Sequence, residues 1–206
     1  YDSEEGIEVT AKVMEAITDA AYSTSSDIAV EKGSSPVFNA NDYLRCPFVR
    51  EGLSDETREK IRRQGLRNIA VMSIAPTGTI SNIVLSYRTD ERQYIGVSGG
   101  LEPIFALFYT RRSESLDTDF FKVFHSTVQA YIDVKGLCDK ATKAAELEGV
   151  LPDFFFRTAH CVDAKRRVEI QSRVQRYIDH SISSTINLPE DVQPEVISDI
   201  YLDAWK

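Results

Sequence analysis

The sequence lacks any apolar run close to the roughly 20 consecutive residues that a membrane-spanning helix needs. It also has only three cysteines, and none of them lies in a Cys-x-x-Cys pair or at a Cys/His spacing typical of zinc ligands. A structural zinc site is therefore not expected. An odd number of widely spaced cysteines is typical of a protein from a reducing compartment, so we expect a cytoplasmic protein without a membrane span.

The sequence has too few basic residues to balance its acidic ones. Its 24 Lys and Arg and 32 Asp and Glu give a net charge of −8. An acidic balance argues against nucleic acid and anionic membranes as partners, although it leaves room for a local site that binds a phosphate. Hydrophobic residues make up 42% of the chain, which is enough for a core. We expect residues 1–206 to form a single domain.

Small polar residues cluster directly after the apolar run Ile69–Ile74. An apolar run of this length that ends at Pro and Gly predicts a buried strand. The segment that follows is Pro76, Thr77, Gly78, Thr79, Ile80 and Ser81. Glycine lets a backbone approach a ligand, and hydroxyls together with the free N–H groups of a helix start can bind a phosphate. A turn whose hydroxyls only cap a helix is the alternative that the spacing leaves open.

The rest of the chain alternates predicted helices with isolated apolar runs, which is typical of an α/β fold that is rich in helix. Helices are predicted over residues 2–31, 55–64, 104–109, 117–134, 137–148, 160–180 and 194–205. On the first of them the predicted buried face is Ile7, Ala11, Met14, Ile17 and Ala21. Residues 85–95 have apolar ends around a polar centre and predict a β-hairpin, and Ser181–Leu188 is predicted to be rich in β-structure.

Several sequence blocks carry a resemblance to a known family. In chain order they are Tyr1–Gly6, Ala29–Gly33, Pro76–Ser81, Ser98–Ala106 with Tyr109 and Arg111, and Gln175–Pro189. Together they resemble the large catalytic chain of ribonucleotide reductases, in the order of that family, and are most similar to its adenosylcobalamin-dependent class. The resemblance implies part of the family's α/β barrel, with the hairpin at 85–95 inserted where many relatives have a shorter link.

The resemblance also implies an activity, which is the conversion of ribonucleotides to deoxyribonucleotides by thiyl-radical chemistry. The substrate would be a ribonucleoside di- or triphosphate, with its phosphates held by residues 76–81. The cofactor would be adenosylcobalamin, and a separate metal-containing subunit that generates the radical is the alternative. A non-catalytic module that binds nucleotide phosphates or a partner, derived from the same barrel, is the competing function.

The sequence departs from the family in lacking the Asn-x-Cys-x-Glu loop that carries the radical cysteine. Cys46, Cys138 and Cys161 have neither the asparagine nor the glutamate beside them. We therefore expect the C-terminal part of a catalytic barrel, inactive by itself, with the remainder of the catalytic chain as its partner. A second copy of the chain, forming a homodimer, is an alternative partner that the sequence leaves open.

Further residues are predicted to line the pocket. Ser183 and Thr185 lie at the end of a β-rich block, and strand ends face the active site in the barrel that the resemblance implies. Ser98, Gly99, Gly100 and Glu102 lie in a block that carries the resemblance. No residue is predicted to be catalytic or to bind a metal.

Overall fold

The computed structural model describes residues 1–112 and 120–206, whose contacts group them into two units. Unit 1 contains Tyr1–Ala75, Asp163–Ser184 and Asp191–Lys206, and unit 2 contains Pro76–Val162 and Thr185–Glu190. Units of this kind can belong to one domain, so the single domain over residues 1–206 stays a prediction.

The helices and strands of both units are numbered in chain order. They are α1 (Glu4–Lys32), α2 (Ala40–Tyr43), α3 (Pro47–Gly52), α4 (Asp55–Gln64), α5 (Gly78–Ser81), β1 (Leu85–Arg88), β2 (Gln93–Ile95), β3 (Phe108–Arg112), β4 (Phe120–Phe124), α6 (Ser126–Val134), α7 (Cys138–Lys143), α8 (Ala164–Gln175) and α9 (Pro194–Trp205). Short 3-10 turns lie at Asp153–Phe156 and Ala159–Cys161. Among the described residues, no helix is both long and apolar enough to cross a bilayer.

Local signals in the sequence place two helices of unit 1, α4 and α9, accurately, whereas the helix predicted over 160–180 is shorter and runs from Ala164 to Gln175. The side chain of Ser54 accepts a hydrogen bond from the amide of Thr57 at the start of α4, and Gly65 ends that helix with φ 80°. The predicted bounds of these two helices, 55–64 and 194–205, are confirmed. The predicted buried face of α1 is confirmed at Ile7, which is 3% exposed, and wrong at Ile17, which is 49% exposed. The fully buried residues of this helix are Thr18, Tyr22 and Ser26.

The apolar run Ile69–Ile74 does not form the predicted buried strand. Only Ile74 makes a parallel bridge, with Ile182, and this is the one bridge in the predicted β-rich segment 181–188. The amides of Val71 and Met72 instead donate to the side chain of Asp179, at 2.7 and 3.1 Å. A side chain therefore replaces the neighbouring strand as the acceptor for this segment.

Unit 2 contains two antiparallel hairpins. The predicted hairpin at 85–95 is confirmed as β1 paired with β2. The predicted helix at 104–109 is wrong, because β3 begins at Phe108 and pairs with β4. The predicted helix at 117–134 is wrong over Phe120–Phe124, which is β4, and right over α6; its residues 117–119 lie outside the described residues.

The aromatic residues of β3 and β4 explain this second hairpin. Phe108 and Phe124 face each other across the strands with ring centroids 5.9 Å apart, a pairing that favours a strand over a helix. Both rings pack on a core that also fixes α6 and α7. The buried members of that core are Leu107, Val128, Ile132, Ala141, Leu147 and Leu151. Over the described residues the strands form no closed barrel, which is in accord with a partial, helix-rich α/β fold.

Candidate functional site

Pro76–Ser81 folds as a tight turn that leads into α5. Thr77 has φ 52° and ψ 18°, and it is the only residue other than glycine with a positive φ in the described part of the chain. The left-handed conformation costs an L-residue about 1 kcal/mol, and it turns the following N–H groups toward one side of the chain. Along the turn, the first amide that donates a hydrogen bond to an earlier carbonyl of the same turn is that of Ser81, which donates to Thr77 at 2.9 Å. The amides of Gly78, Thr79 and Ile80 are therefore free of intrahelical acceptors.

The segment Ser98–Gly100 lies directly against this turn. A Cβ atom on Gly100, which has φ +121°, would lie 2.4 Å from the carbonyl oxygen of Pro76 and 3.3 Å from the amide nitrogen of Gly78. A Cβ atom on Gly99 would lie 2.6 Å from the ring of Phe105. Glycine is required at position 100 because main-chain atoms leave no space for a side chain, whereas at position 99 the Phe105 ring, which is 42% exposed, would have to move. The close contact of Gly100 with Pro76 and Gly78 forms one wall of the site.

One serine hydroxyl joins the turn to its wall, and a second stabilises the wall itself. Ser81 is 5% exposed, and its Oγ lies 2.8 Å from the carbonyl oxygen of Gly78 and 3.0 Å from that of Ser98. Its single hydrogen is donated to either oxygen. Ser98 Oγ donates to the carbonyl of Gly100 at 2.6 Å. The hydroxyl of Ser81 thus holds the loop together, whereas Thr77 and Thr79 are exposed.

Glu102 and Thr185 are the second pair that the structure brings together. Glu102 is 9% exposed, and its Oε1 accepts a hydrogen bond from the amide of Thr185 at 3.1 Å. Thr185 therefore contributes its backbone N–H to this pair. Ser183 belongs to unit 1, where its amide donates to the carbonyl of Ile74 at 3.1 Å. The predicted residues of unit 2 thus meet in two groups, 76–81 with 98–100 and Glu102 with Thr185.

Asp133 was not predicted as a site residue. It contacts the hairpin at 85–95, which lies in the chain between the turn at 76–81 and the wall at 98–100. Its Oδ2 accepts from the hydroxyl of Tyr94 at 2.7 Å and pairs with the guanidinium of Arg92 at 2.9 Å. Its Oδ1 accepts from the side-chain amide of Gln129 at 2.6 Å and from the thiol of Cys138 at 3.1 Å. The pair with Gln129 has helical spacing and is visible in the sequence. Nothing in the sequence indicates the pairs with the hairpin.

These contacts shift the pKa values of both partners. Burial by itself raises the pKa of Asp133, but the hydrogen bonds from Tyr94, Cys138 and Gln129 and the charge of Arg92 together bring it below its usual range. The hydrogen bond to Asp133 is the main cause that raises the pKa of Tyr94. At neutral pH the pair is therefore a carboxylate that accepts from a protonated phenol.

We expect acid to weaken this anchor. Because the pKa of Asp133 is lower in the folded protein than in the unfolded chain, its contribution is present at neutral pH and is lost as the pH falls through the folded value. The stability difference between the wild type and Asp133→Asn should be largest near pH 7 and shrink below the usual pKa of aspartate, about 4. Thermal unfolding of both proteins between pH 7 and pH 3 measures it, and a difference that is constant or grows in acid would contradict the assignment.

Comparison with known proteins finds a match along the whole chain. The family described as ribonucleotide reductase, barrel domain, matches residues 1–206. A vitamin B12-dependent ribonucleoside-diphosphate reductase from Mycobacterium tuberculosis (strain CDC 1551 / Oshkosh) is 27% identical over 100% of this chain and 27% of its own length. A protein of the same name from Thermoplasma acidophilum is 30% identical, over 98% of this chain and 24% of its own length.

A second kind of relative is similar to the same degree. The ribonucleoside-diphosphate reductase subunit alpha from Chlamydia pneumoniae is 27% identical over 100% of this chain and 21% of its own length. The chain thus spans between 21% and 27% of the length of these relatives.

Proposed function

The chain belongs to the ribonucleotide reductase barrel-domain family, and from that premise we propose that it holds the phosphates of the substrate in a ribonucleotide reductase. The full-length protein would reduce ribonucleoside diphosphates, the substrates that the names of the relatives specify. Within the chain, residues 76–81 would bind the phosphates, and Ser98–Gly100 would form the wall behind them.

The observation that carries this proposal is the left-handed turn at Thr77 backed by the glycines of the wall. The turn presents the amides of Gly78, Thr79 and Ile80, and the exposed hydroxyls of Thr77 and Thr79 lie beside them in the chain. Three hydrogen bonds to a phosphate oxygen would contribute about 5 kcal/mol. α5 has only four residues, so its N–H groups rather than a helix dipole would make the site.

The chemical role of such a site is positioning. Fixing the phosphates fixes the ribose against the group that abstracts its hydrogen, which removes the entropic cost of bringing the two together. The sequence contains no Asn-x-Cys-x-Glu motif, and its three cysteines are free and exposed. We therefore propose that the radical cysteine and the reducing cysteines lie outside this chain, and that residues 1–206 by themselves do not turn over.

Vitamin B12 is the cofactor that the names of two of these relatives imply. Bound adenosylcobalamin would supply the radical. Four cavities within the described units have volumes of about 320 to 500 Å³, and none of these four is large enough for a corrin ring with its nucleotide tail. None of the four is assigned to that group, and no step through it is assigned to this chain.

The activity is tested with the full-length protein, a dithiol and a ribonucleoside diphosphate, with and without adenosylcobalamin. Deoxynucleotide formation only with the cofactor supports a cobalamin-dependent reductase. Formation only after a metal-containing second subunit is added supports the alternative radical source. No formation under any of these conditions would contradict the proposed activity and favour a module that only binds nucleotides.

The phosphate site is tested by Thr79→Ala in the full-length protein. Loss of one charge-assisted hydrogen bond should weaken the binding of a ribonucleoside diphosphate about tenfold. Equilibrium dialysis with the diphosphate and with the free nucleoside measures the effect, which should be absent for the nucleoside. Thr142→Ala is the matched control, because Thr142 is exposed and its hydroxyl bonds only within α7. Equal affinity of Thr79→Ala and the control for the diphosphate would refute the site.

A further inference from the structure

The inserted hairpin β1–β2 has little apolar burial to hold it. Leu85, Tyr87 and Ile95 are between 46% and 55% exposed, whereas Tyr94 is 5% exposed. A two-stranded hairpin is at best marginally stable in water without further packing. Its position must therefore depend on a few specific contacts, and two of these join the side chains of Tyr94 and Arg92 to Asp133.

Asp133 contacts the hairpin at two residues of its second strand region, Tyr94 and Arg92. Its carboxylate accepts from Tyr94 and pairs with Arg92, and Arg92 also lies over the Tyr94 ring, 5.1 Å from its centroid. The side chain of Asp133 is 21% exposed, so its charge is partly shielded from water. Gln129 and Cys138 donate to the other oxygen and fix the orientation of the carboxylate.

The hairpin is continuous with both the turn and the wall of the candidate site, since β1 follows the turn at 76–81 and β2 leads into the wall at 98–100. The amide of Gly96 donates to the carbonyl of Val84 at 2.7 Å, and the amide of Val97 donates to the carbonyl of Ser81 at 2.9 Å. Ser98–Gly100 follow at once, and they form the wall against Pro76 and Gly78. A shift of β2 along or away from β1 must therefore move the wall relative to the turn.

We propose that Asp133 is a positioning residue for substrate binding, and that the inserted hairpin is a brace through which Asp133 fixes the Ser98–Gly100 wall of the phosphate site. This rests on the proposed function of residues 76–81. Asp133 does not touch the substrate. It acts by holding Tyr94 and Arg92, so its removal should loosen the wall and weaken the binding of the diphosphate without altering the chemistry of a saturated enzyme.

The experiment compares four forms of the full-length protein: the wild type, Asp133→Asn, Asp90→Asn and Thr79→Ala. Asp90→Asn makes the same change of charge on the hairpin that Asp133 contacts, and Asp90 is exposed and has no hydrogen bond to another described residue. KM and kcat are measured with a ribonucleoside diphosphate, and hydrogen exchange is followed in a peptide that covers residues 96–101. Asp133→Asn should raise KM about tenfold, change kcat less than about twofold, and speed exchange in that peptide. Asp90→Asn should resemble the wild type in all three.

The outcomes separate this inference from the proposed function. If Thr79→Ala raises KM but Asp133→Asn matches Asp90→Asn, the brace is wrong and the phosphate site stands. If Asp133→Asn raises KM with unchanged exchange over residues 96–101, the brace is also wrong, because the wall has not moved. If Thr79→Ala leaves KM unchanged, the phosphate site itself is wrong. Should Asp133→Asn not fold, Tyr94→Phe removes the same hydrogen bond and is expected to raise KM in the same way.

Discussion

Gly100→Ala is expected to lower kcat/KM of the full-length protein about a hundredfold, because the Ser98–Gly100 wall would be forced away from the turn in the proposed phosphate site. The new Cβ atom would lie 2.4 Å from the carbonyl oxygen of Pro76, and backbone atoms of Gly78 lie at 3.3 Å. All of these are main-chain atoms, so no flexible side chain can move aside. The loss should appear mainly in KM, because the turn would no longer present its amides and hydroxyls at the right distance from the phosphate.

Gly149→Ala is the matched control for this prediction. Gly149 lies in the same unit and has φ +76°, and a Cβ atom there would meet nothing within 4 Å. The control carries the same kind of backbone strain, about 1 kcal/mol, without the clash. We expect its kcat/KM to stay within about twofold of the wild type. If both variants lose activity equally, strain alone explains the loss, and the close approach of Gly100 to Pro76 has no role in binding.

Asp179→Ala is expected to give the largest loss of stability. Its side chain, 9% exposed, accepts from the amides of Val71 and Met72 and from the hydroxyl of Tyr22. Tyr22 is fully buried, and burial followed by the bond to Asp179 raises its pKa, so it stays a donor through the neutral range. Removing the acceptor leaves the buried hydroxyl of Tyr22 without this bond and releases the amides of Val71 and Met72, which together should cost about 3 kcal/mol.

Hydrogen exchange under native conditions measures this loss locally. The amides of peptides from α1 and from residues 69–74 should exchange about a hundredfold faster in Asp179→Ala than in the wild type. Asp199→Ala is the control, because Asp199 is an exposed aspartate of the same unit on α9. An increase of similar size in the control, or protection of residues 69–74 that survives in Asp179→Ala, would show that the carboxylate is not what holds this segment.

Features that depend on neighbouring residues could be predicted from the sequence. Ser54 and Gly65 mark both ends of α4, because a cap bonds to an amide three residues away and a left-handed end needs glycine. The hairpin at 85–95 follows from alternation around a polar turn.

Features that depend on distant residues could not be predicted. Ile69–Ile74 has the composition of a buried strand, yet Ile69 and Val71 are 36% and 39% exposed, since Asp179 rather than a second strand accepts the bonds of Val71 and Met72. The residues over 104–109 are apolar enough for a helix, but pairing of Phe108 with Phe124 places β3 there. In both places a partner far along the chain overrides the local preference.

The same division holds in the candidate site. Residue type and spacing were enough to indicate which residues form the turn and the family to which the blocks belong. The tertiary contacts were needed to establish that the hydroxyl of Ser81 points inward to the wall and that Asp133 anchors the hairpin. A hydroxyl or carboxylate bonds to whichever group packing brings within about 3 Å, and packing joins residues that lie far apart along the chain.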